Sequence, residues 1–176
     1  MKRRTFTTLR TLAALAVLIV ASPAWAELRG EVVRIIDGDT IDVLVDKRPV
    51  RVRLVDIDAP EKRQAFGERS RQALADLVFR RQVLVVEKNT DRFGRTLGVL
   101  FTKHCEPVNT CREININARM VHAGMAWAYR FHERPSDAEM FAIEQDARLA
   151  RRGLWSDTNA VEPWKWRRNT ARRDEG

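Results

Sequence analysis

A chain of 176 residues, 44% of them hydrophobic, with 32 Lys and Arg against 24 Asp and Glu, is too short for a multi-domain machine and too varied for a fibrous or low-complexity protein. Two cysteines are too few for a cysteine-dense mini-scaffold. The expectation is one domain with a formal charge of +8.

Lys2, Arg3, Arg4 and Arg10 precede an apolar stretch from Leu12 to Ala21, and Ala24, Trp25, Ala26 has the small-x-small form that signal peptidase cuts. The apolar run is too short to span a bilayer, so the alternative to a cleaved leader over residues 1–26 is an uncleaved amphipathic anchor. Cleavage after Ala26 leaves 150 residues and, with four cations removed, a formal charge of +4. The mature chain is then mildly basic, secreted or periplasmic, and without stable membrane association. Arginine supplies 26 of the cations and lysine 6. The planar guanidinium suits phosphate, although codon bias in a GC-rich genome yields the same ratio.

From Arg29 to Asp58 the apolar residues recur with strand period: Val33 and Ile35, then Ile41, Val43 and Val45, then Val50, Val52 and Leu54. Turn residues at Asp37, Gly38, Asp39 and at Asp46, Lys47, Arg48, Pro49 break the run into a three-stranded meander. After Pro60 the period changes. Leu74, Leu77 and Val78 share one face of a helix over about 67–79, and Val83 to Val86 and Leu97 to Phe101 read as two more strands.

A short helix is expected over 117–127, with Ala118, Val121 and Met125 inward. Another runs from a Ser136 cap, with Glu139 in a capping box, through Met140, Ile143, Ala147, Ala150 and Leu154, to a stop near Gly153. Cys105 and Cys111 flank a short loop, and a leader to an oxidising compartment favours a disulfide over a zinc site built with His104 or His122. The tail from Glu162 to Gly176 reads as polar, extended or frayed, with Trp164 and Trp166 among several Arg. Those aromatics either bind single-stranded nucleic acid or dock on the domain.

Five strands and three helices in this order fit an α+β fold, a five-stranded OB-type β-barrel with three packed helices over residues 27–160, followed by a basic tail over 161–176. Three segments of that barrel hold chemistry-bearing residues. Asp37, Gly38, Asp39, Thr40 sets carboxylates on a tight turn, which alone reads as a plain hairpin connection. Arg51 and Arg53 share a face, and the strand exits through Asp58, Ala59, Pro60, Glu61; taken alone it is a solvated edge strand. In an unbroken strand Arg53 and Asp58 point to opposite faces, so a common site requires a bulge or a strand end between them. Asp91, Arg92, Phe93, Gly94, Arg95 is a glycine turn loaded with cations. Together they provide oxygen ligands for Ca²⁺ or Mg²⁺, a spare carboxylate for water and two guanidiniums for a phosphodiester.

The order Ile36, Asp37, Gly38, Asp39, Thr40, then Arg53 to Glu61, then Asp91 to Arg95, resembles the staphylococcal nuclease-like (thermonuclease) family, over about Val32 to Trp155. The resemblance implies a Ca²⁺-dependent nuclease, with Mg²⁺ as a candidate substitute, that cuts DNA and RNA to 3′-phosphate ends with little sequence specificity. It implies Asp39, Asp58 and the Ala59 carbonyl as metal ligands, Arg53, Glu61 and Arg95 as catalytic residues, and Phe93 and Tyr129 as substrate-binding aromatics. Single-stranded substrates and a monomeric enzyme are expected.

Three departures stand out. Phe93 replaces a frequent Tyr, Ala59 a frequent Thr, and Tyr129 lies one residue closer to its glycine than the family pattern has it. Asp56 is an extra carboxylate, expected on the barrel's other side. The competing class is a non-catalytic nucleic-acid-binding module of OB type, in which two carboxylates beside an anion site would repel phosphate.

Overall fold

The computed structural model describes residues 26–105 and 111–174. The leader expected over residues 1–26 therefore lies outside the described residues except for Ala26, as do residues 106–110 of the cysteine loop.

In chain order the elements are β1 (Glu27–Ile35), β2 (Thr40–Val45), β3 (Arg48–Leu54), β4 (Ile57–Asp58), α1 (Gly67–Val78), β5 (Gln82–Thr90), β6 (Thr96–Cys105), β7 (Cys111–Asn115), α2 (Ile116–His122), β8 (Trp127–Ala128), β9 (Arg130–Phe131), β10 (Arg134–Pro135), α3 (Ala138–Leu149), a 3₁₀ turn (Gly153–Ser156) and α4 (Pro163–Asp174). The large sheet runs β3-β2-β1-β5-β6-β7, and β3 also pairs in parallel with β6. That extra pairing closes the five strands expected from the sequence into a barrel and removes their free edges. The ten residues of β6 serve both partners, with Thr96 to Gly98 on β3 and Phe101 to Cys105 on β7. Register shifts between Val32 and Arg34 and between Glu87 and Asn89 add the local twist that closure needs.

The alternation read from the sequence fills the interior in β2 and β3, where Ile41, Val43, Val52 and Leu54 are buried, but not in β1: the register shift between Val32 and Arg34 buries Val32 and leaves Val33 and Ile35 half-buried. Val85 and Leu100 complete the layer under Leu74 and Val78 of α1 and Ile116, Met120 and Val121 of α2. Burying each such side chain contributes about 1.5–3 kcal/mol. One polar group is built into this core. Buried Asn117 accepts from the Leu100 N–H (3.0 Å) and donates to the carbonyls of Val55 (2.9 Å) and Gly98 (3.3 Å), tying α2 to β6 and to the end of β3.

Several expectations are corrected. Helix α2 stops at His122 rather than near residue 127, because the chain turns at Gly124 with φ +66°. Asp137, not Ser136, caps α3 by accepting from the Met140 N–H (2.8 Å), while the Ser136 hydroxyl is used by Asp56. Helix α3 ends at Leu149, and Arg151 and Gly153 turn the chain with positive φ. The tail is a fourth helix, α4, not an extended segment. It docks by Trp164, whose ring meets Trp127 edge-on at 5.7 Å, against a second small core of Trp127, Ala147, Leu154 and Trp155. Cys105 and Cys111 are disulfide-bonded, facing each other at the β6–β7 hairpin end. No helix among the described residues is long and apolar enough to cross a membrane.

Candidate active site

Three turns meet at one end of the barrel. The first joins β1 to β2, where the Asp37 carboxylate accepts from the Asp39 N–H (3.0 Å). Burial, reinforced by the neighbouring Asp39 charge, pushes the Asp37 carboxyl up to about 6. A side chain at Gly38 would put its Cβ 1.9 Å from the Ser70 Oγ of α1 and 2.8 Å from the Ala59 Cβ. Glycine is what lets this turn settle against the helix and against the segment that follows β4.

The second turn follows β3. Thr40 and Arg53 are paired across β2 and β3, which brings Asp39 beside the Arg53 guanidinium. Arg53 donates through Nη1 to Asp39 Oδ1 (2.7 Å) and through Nη2 to Asp58 Oδ1 (3.2 Å). The parity conflict between Arg53 and Asp58 is resolved by a strand end: Asp56 takes φ +61°, and the chain restarts as β4, paired with β8 rather than with the barrel. One guanidinium therefore spans both carboxylates. The second oxygen of Asp39 accepts from the Ala59 N–H (2.9 Å), and Asp58 is fully buried. Burial pushes the Asp58 carboxyl up, against the pull of bonds from Arg167. Burial likewise works against the Arg53 charge, but the two carboxylates outweigh it and push the guanidinium higher still.

The third turn joins β5 to β6. Gly94, at φ +77°, allows it, and Asp91 Oδ1 accepts from the N–H groups of Phe93 (2.9 Å) and Arg95 (3.0 Å). Asp91 Oδ2 takes the Arg95 Nε (2.7 Å) and so orients that guanidinium. Desolvation opposes the Asp91 charge, but these bonds hold its carboxyl below the usual range.

The three turns enclose a cleft of about 740 Å³ lined by Asp39, Arg53, Ala59, Glu61, Arg95 and Tyr129, with Phe93 at its rim, 69% exposed. Asp58 lies just beneath, reached through Arg53. Every residue to which the resemblance gave a role thus lines this cleft or, for Asp58, bonds a residue that does, whereas Arg51 is turned to Asp42 (2.8 Å) and does not line it. Tyr129 is half-buried and held by its own backbone, which bonds the Asp56 carbonyl (2.9 Å) and the Ser136 N–H (3.0 Å). Asp56 lines the same cleft, not the opposite side of the barrel.

Arg167 of α4 was not foreseen. Its Nη2 donates to Asp58 Oδ2 (2.7 Å), and its Nη1 donates to Asp58 Oδ1 (3.1 Å) and Glu61 Oε1 (2.7 Å). The alternation of Trp and basic residues in the tail is the one available signal, and it offers nucleic-acid binding or docking on the domain, not a cation for these carboxylates.

Among the described residues no three His, Cys, Asp or Glu side chains gather as a metal cluster. A cation here would rest on two carboxylates, a main-chain carbonyl and water. That all-oxygen set suits a hard divalent ion that keeps part of its hydration, and excludes a thiolate or imidazole site.

Carboxylates able to hold a cation, set beside guanidiniums able to hold an anion in an open cleft of an OB-type barrel, define a phosphodiester-cleaving hydrolase. A family model described as staphylococcal nuclease homologue matches residues 51–157, and the chain belongs to that family. The chain is 71% identical over 177 residues to Protein ParB of Escherichia coli, with 100% of both chains covered. It is 62% identical over 160 residues to a micrococcal nuclease of Shigella flexneri, covering 91% of this chain and 92% of that one. An uncharacterized endonuclease of Escherichia coli O157:H7 is 41% identical over 142 residues, 81% of this chain and 86% of that one. The family model begins at Arg51, so the Asp37–Thr40 turn lies outside its match and joins the site through the fold.

Proposed function

We propose that this chain is a Ca²⁺-dependent nuclease, secreted or periplasmic and acting as a monomer, that hydrolyses DNA and RNA with little sequence specificity and leaves 3′-phosphate ends. The observation that carries this reading is the Arg53 fork, which gathers Asp39 and Asp58 at a cleft that Arg95 also lines. Asp39, Asp58 and the Ala59 carbonyl hold the ion. Bound there, it supplies positive charge for the developing anion. Arg53 and Arg95 bind the non-bridging oxygens of the scissile phosphate, where two fixed guanidiniums meet the charge that attack creates. Glu61, at the cleft, orients the attacking water and accepts its proton, a role worth about 10²–10⁴ in rate. The bond to the 5′-oxygen breaks, and that oxygen takes a proton from solvent.

Exposed Phe93, flanked by the guanidiniums of Arg92 (4.8 Å) and Arg95 (5.6 Å), offers a face on which an unpaired base stacks, and Tyr129 lines the same cleft. Single strands are therefore the favoured substrates. The division into a leader over 1–26, a catalytic domain over 27–160 and a C-terminal segment over 161–176 belongs to the same reading. The leader pattern and the Cys105–Cys111 disulfide both suit an oxidising compartment. The test is cleavage of labelled single-stranded DNA and RNA by the chain from Glu27 onward, with Ca²⁺ and with chelator. Cleavage of both that chelator abolishes is expected; undiminished cleavage in chelator overturns the metal assignment, and binding without cleavage returns the chain to a binding module.

A further inference from the structure

Helix α4 has an anchor on the domain apart from Arg167. Pro163 is buried, Trp164 packs on Trp127, and the Gln64 side chain donates to the Val161 carbonyl (2.5 Å) just ahead of the helix. Arg167 stands one turn beyond this anchor and is carried over the two carboxylates by the helix itself.

There it occupies what a cation would need. Asp58 Oδ2 is taken by Arg167 Nη2, and Asp58 Oδ1 is shared by Arg53 Nη2 and Arg167 Nη1, so both oxygens of a fully buried carboxylate are engaged by guanidiniums. A divalent ion placed on the same oxygens would meet strong repulsion from a guanidinium a few ångströms away. The two arginines are not equally able to yield. Arg53 is 19% exposed and also bound to Asp39, whereas Arg167 is 44% exposed and has solvent to move into.

We propose that Arg167 is a tethered competitor of the divalent ion for Asp58, so that the C-terminal helix sets the metal affinity of the cleft. The proposal rests on the reading of Asp39 and Asp58 as the ion's carboxylates. It has a consequence for the reaction as well. Arg167 Nη1 also holds Glu61 Oε1 (2.7 Å), so the displacement that opens Asp58 releases the carboxylate that handles water. Metal occupancy and the readiness of Glu61 are then one event. Coupling of this kind is reciprocal: what α4 subtracts from metal affinity, metal subtracts from the hold on α4.

The test is calorimetric titration of Ca²⁺ into the chain from Glu27 onward and into its Arg167→Gln form, alongside hydrogen exchange of the amides of residues 164–174. Arg167→Gln is expected to bind Ca²⁺ about tenfold more tightly, within the roughly 5–150-fold usual for coupled sites. In the unsubstituted protein Ca²⁺ should speed exchange in α4, and in Arg167→Gln it should not. Equal or weaker affinity in Arg167→Gln, at unchanged circular dichroism, overturns the proposal. If Arg167→Gln does not fold, Arg167→Lys takes its place. It keeps the stem and charge without the fork and should bind Ca²⁺ more tightly than the unsubstituted protein; affinity no tighter overturns the proposal. Asp58→Asn separates the two ideas. If it abolishes binding while Arg167→Gln changes nothing, the metal site stands and the competitor falls; if no Ca²⁺ binds to any form, both fall.

Discussion

Glu144 gives the sharpest test of how the site is supported. It sits on α3, fully buried, and its carboxylate accepts from the Ala128 N–H (2.7 Å), from Arg130 Nη2 (3.0 and 3.2 Å) and from Arg148 Nε (2.8 Å). Ala128 belongs to β8, which pairs with β4 so that Trp127 faces Asp58. Glu144 therefore steadies the strand on which a site carboxylate rests. Glu144→Ala leaves the Arg130 guanidinium, 12% exposed, with the Ala128 carbonyl (2.5 Å) but without this counter-charge, and leaves a buried N–H without its acceptor. Breaking a buried ion pair costs about 3–5 kcal/mol. The lower part of that range applies, because Arg148 is 39% exposed and keeps its places over Trp155 (3.9 Å) and Trp127 (4.8 Å). At roughly 2–4 °C per kcal/mol for a chain of this size, the melting temperature should fall by about 6–15 °C. Glu144→Gln keeps one acceptor for Ala128 and should fall less. Scanning calorimetry on the oxidised protein reads both, and a shift under about 2 °C for Glu144→Ala would refute this account of the buried cluster.

Arg95→Ala should lower turnover at least about 10²-fold while circular dichroism stays unchanged, because Asp91 keeps its bonds to the Phe93 and residue-95 N–H groups; near-normal turnover strips Arg95 of its role. Reducing the Cys105–Cys111 bridge should cost about 2 kcal/mol for so short a loop, or roughly 4–8 °C in melting temperature. Activity at 25 °C should survive, since the bridge closes the end of β6 away from Thr96 to Gly98; titration of two free thiols in the native protein would contradict the bond.

The barrel was legible because a strand buried on one face writes its period directly into Val and Ile spacing, as Ile41, Val43, Val52 and Leu54 show. Helix α1 was legible within a residue for the same reason. The parallel pairing of β3 with β6 was not, since closure depends on accumulated twist and no residue announces it. The site motifs were legible one by one because each is a turn with its chemistry inside it. Their convergence followed from the resemblance, and the structure supplies its physical cause in the left-handed Asp56, which ends β3 and brings Asp58 round to Arg53. At the start of α3, Ser136 and Asp137 are both competent caps, and the choice between them is made 80 residues away, where Asp56 takes the Ser136 hydroxyl.

Arg167 shows what local reading cannot reach. The segment Pro163–Asp174 has no apolar stripe, and twelve residues of this composition would be marginal as an isolated helix. It is helical because Pro163 starts it and Trp164 finds a surface made by residues of β8, α3 and the 3₁₀ turn. Only then does Arg167 come within reach of Asp58, 109 residues earlier in the chain. Net charge is blind to this, because Asp37, Asp39, Asp58 and Glu61 crowd one end of a mildly basic domain. Among the described residues nearby in sequence, Arg53 is the one guanidinium bonded to any of them, and it reaches just two. A buried carboxylate left with half of its neutralising charge is costly, so it keeps a proton or gains a second cation, from a distant part of the chain or from solution. The protein supplies that cation from α4, and on the proposal above an ion from solution would be its rival.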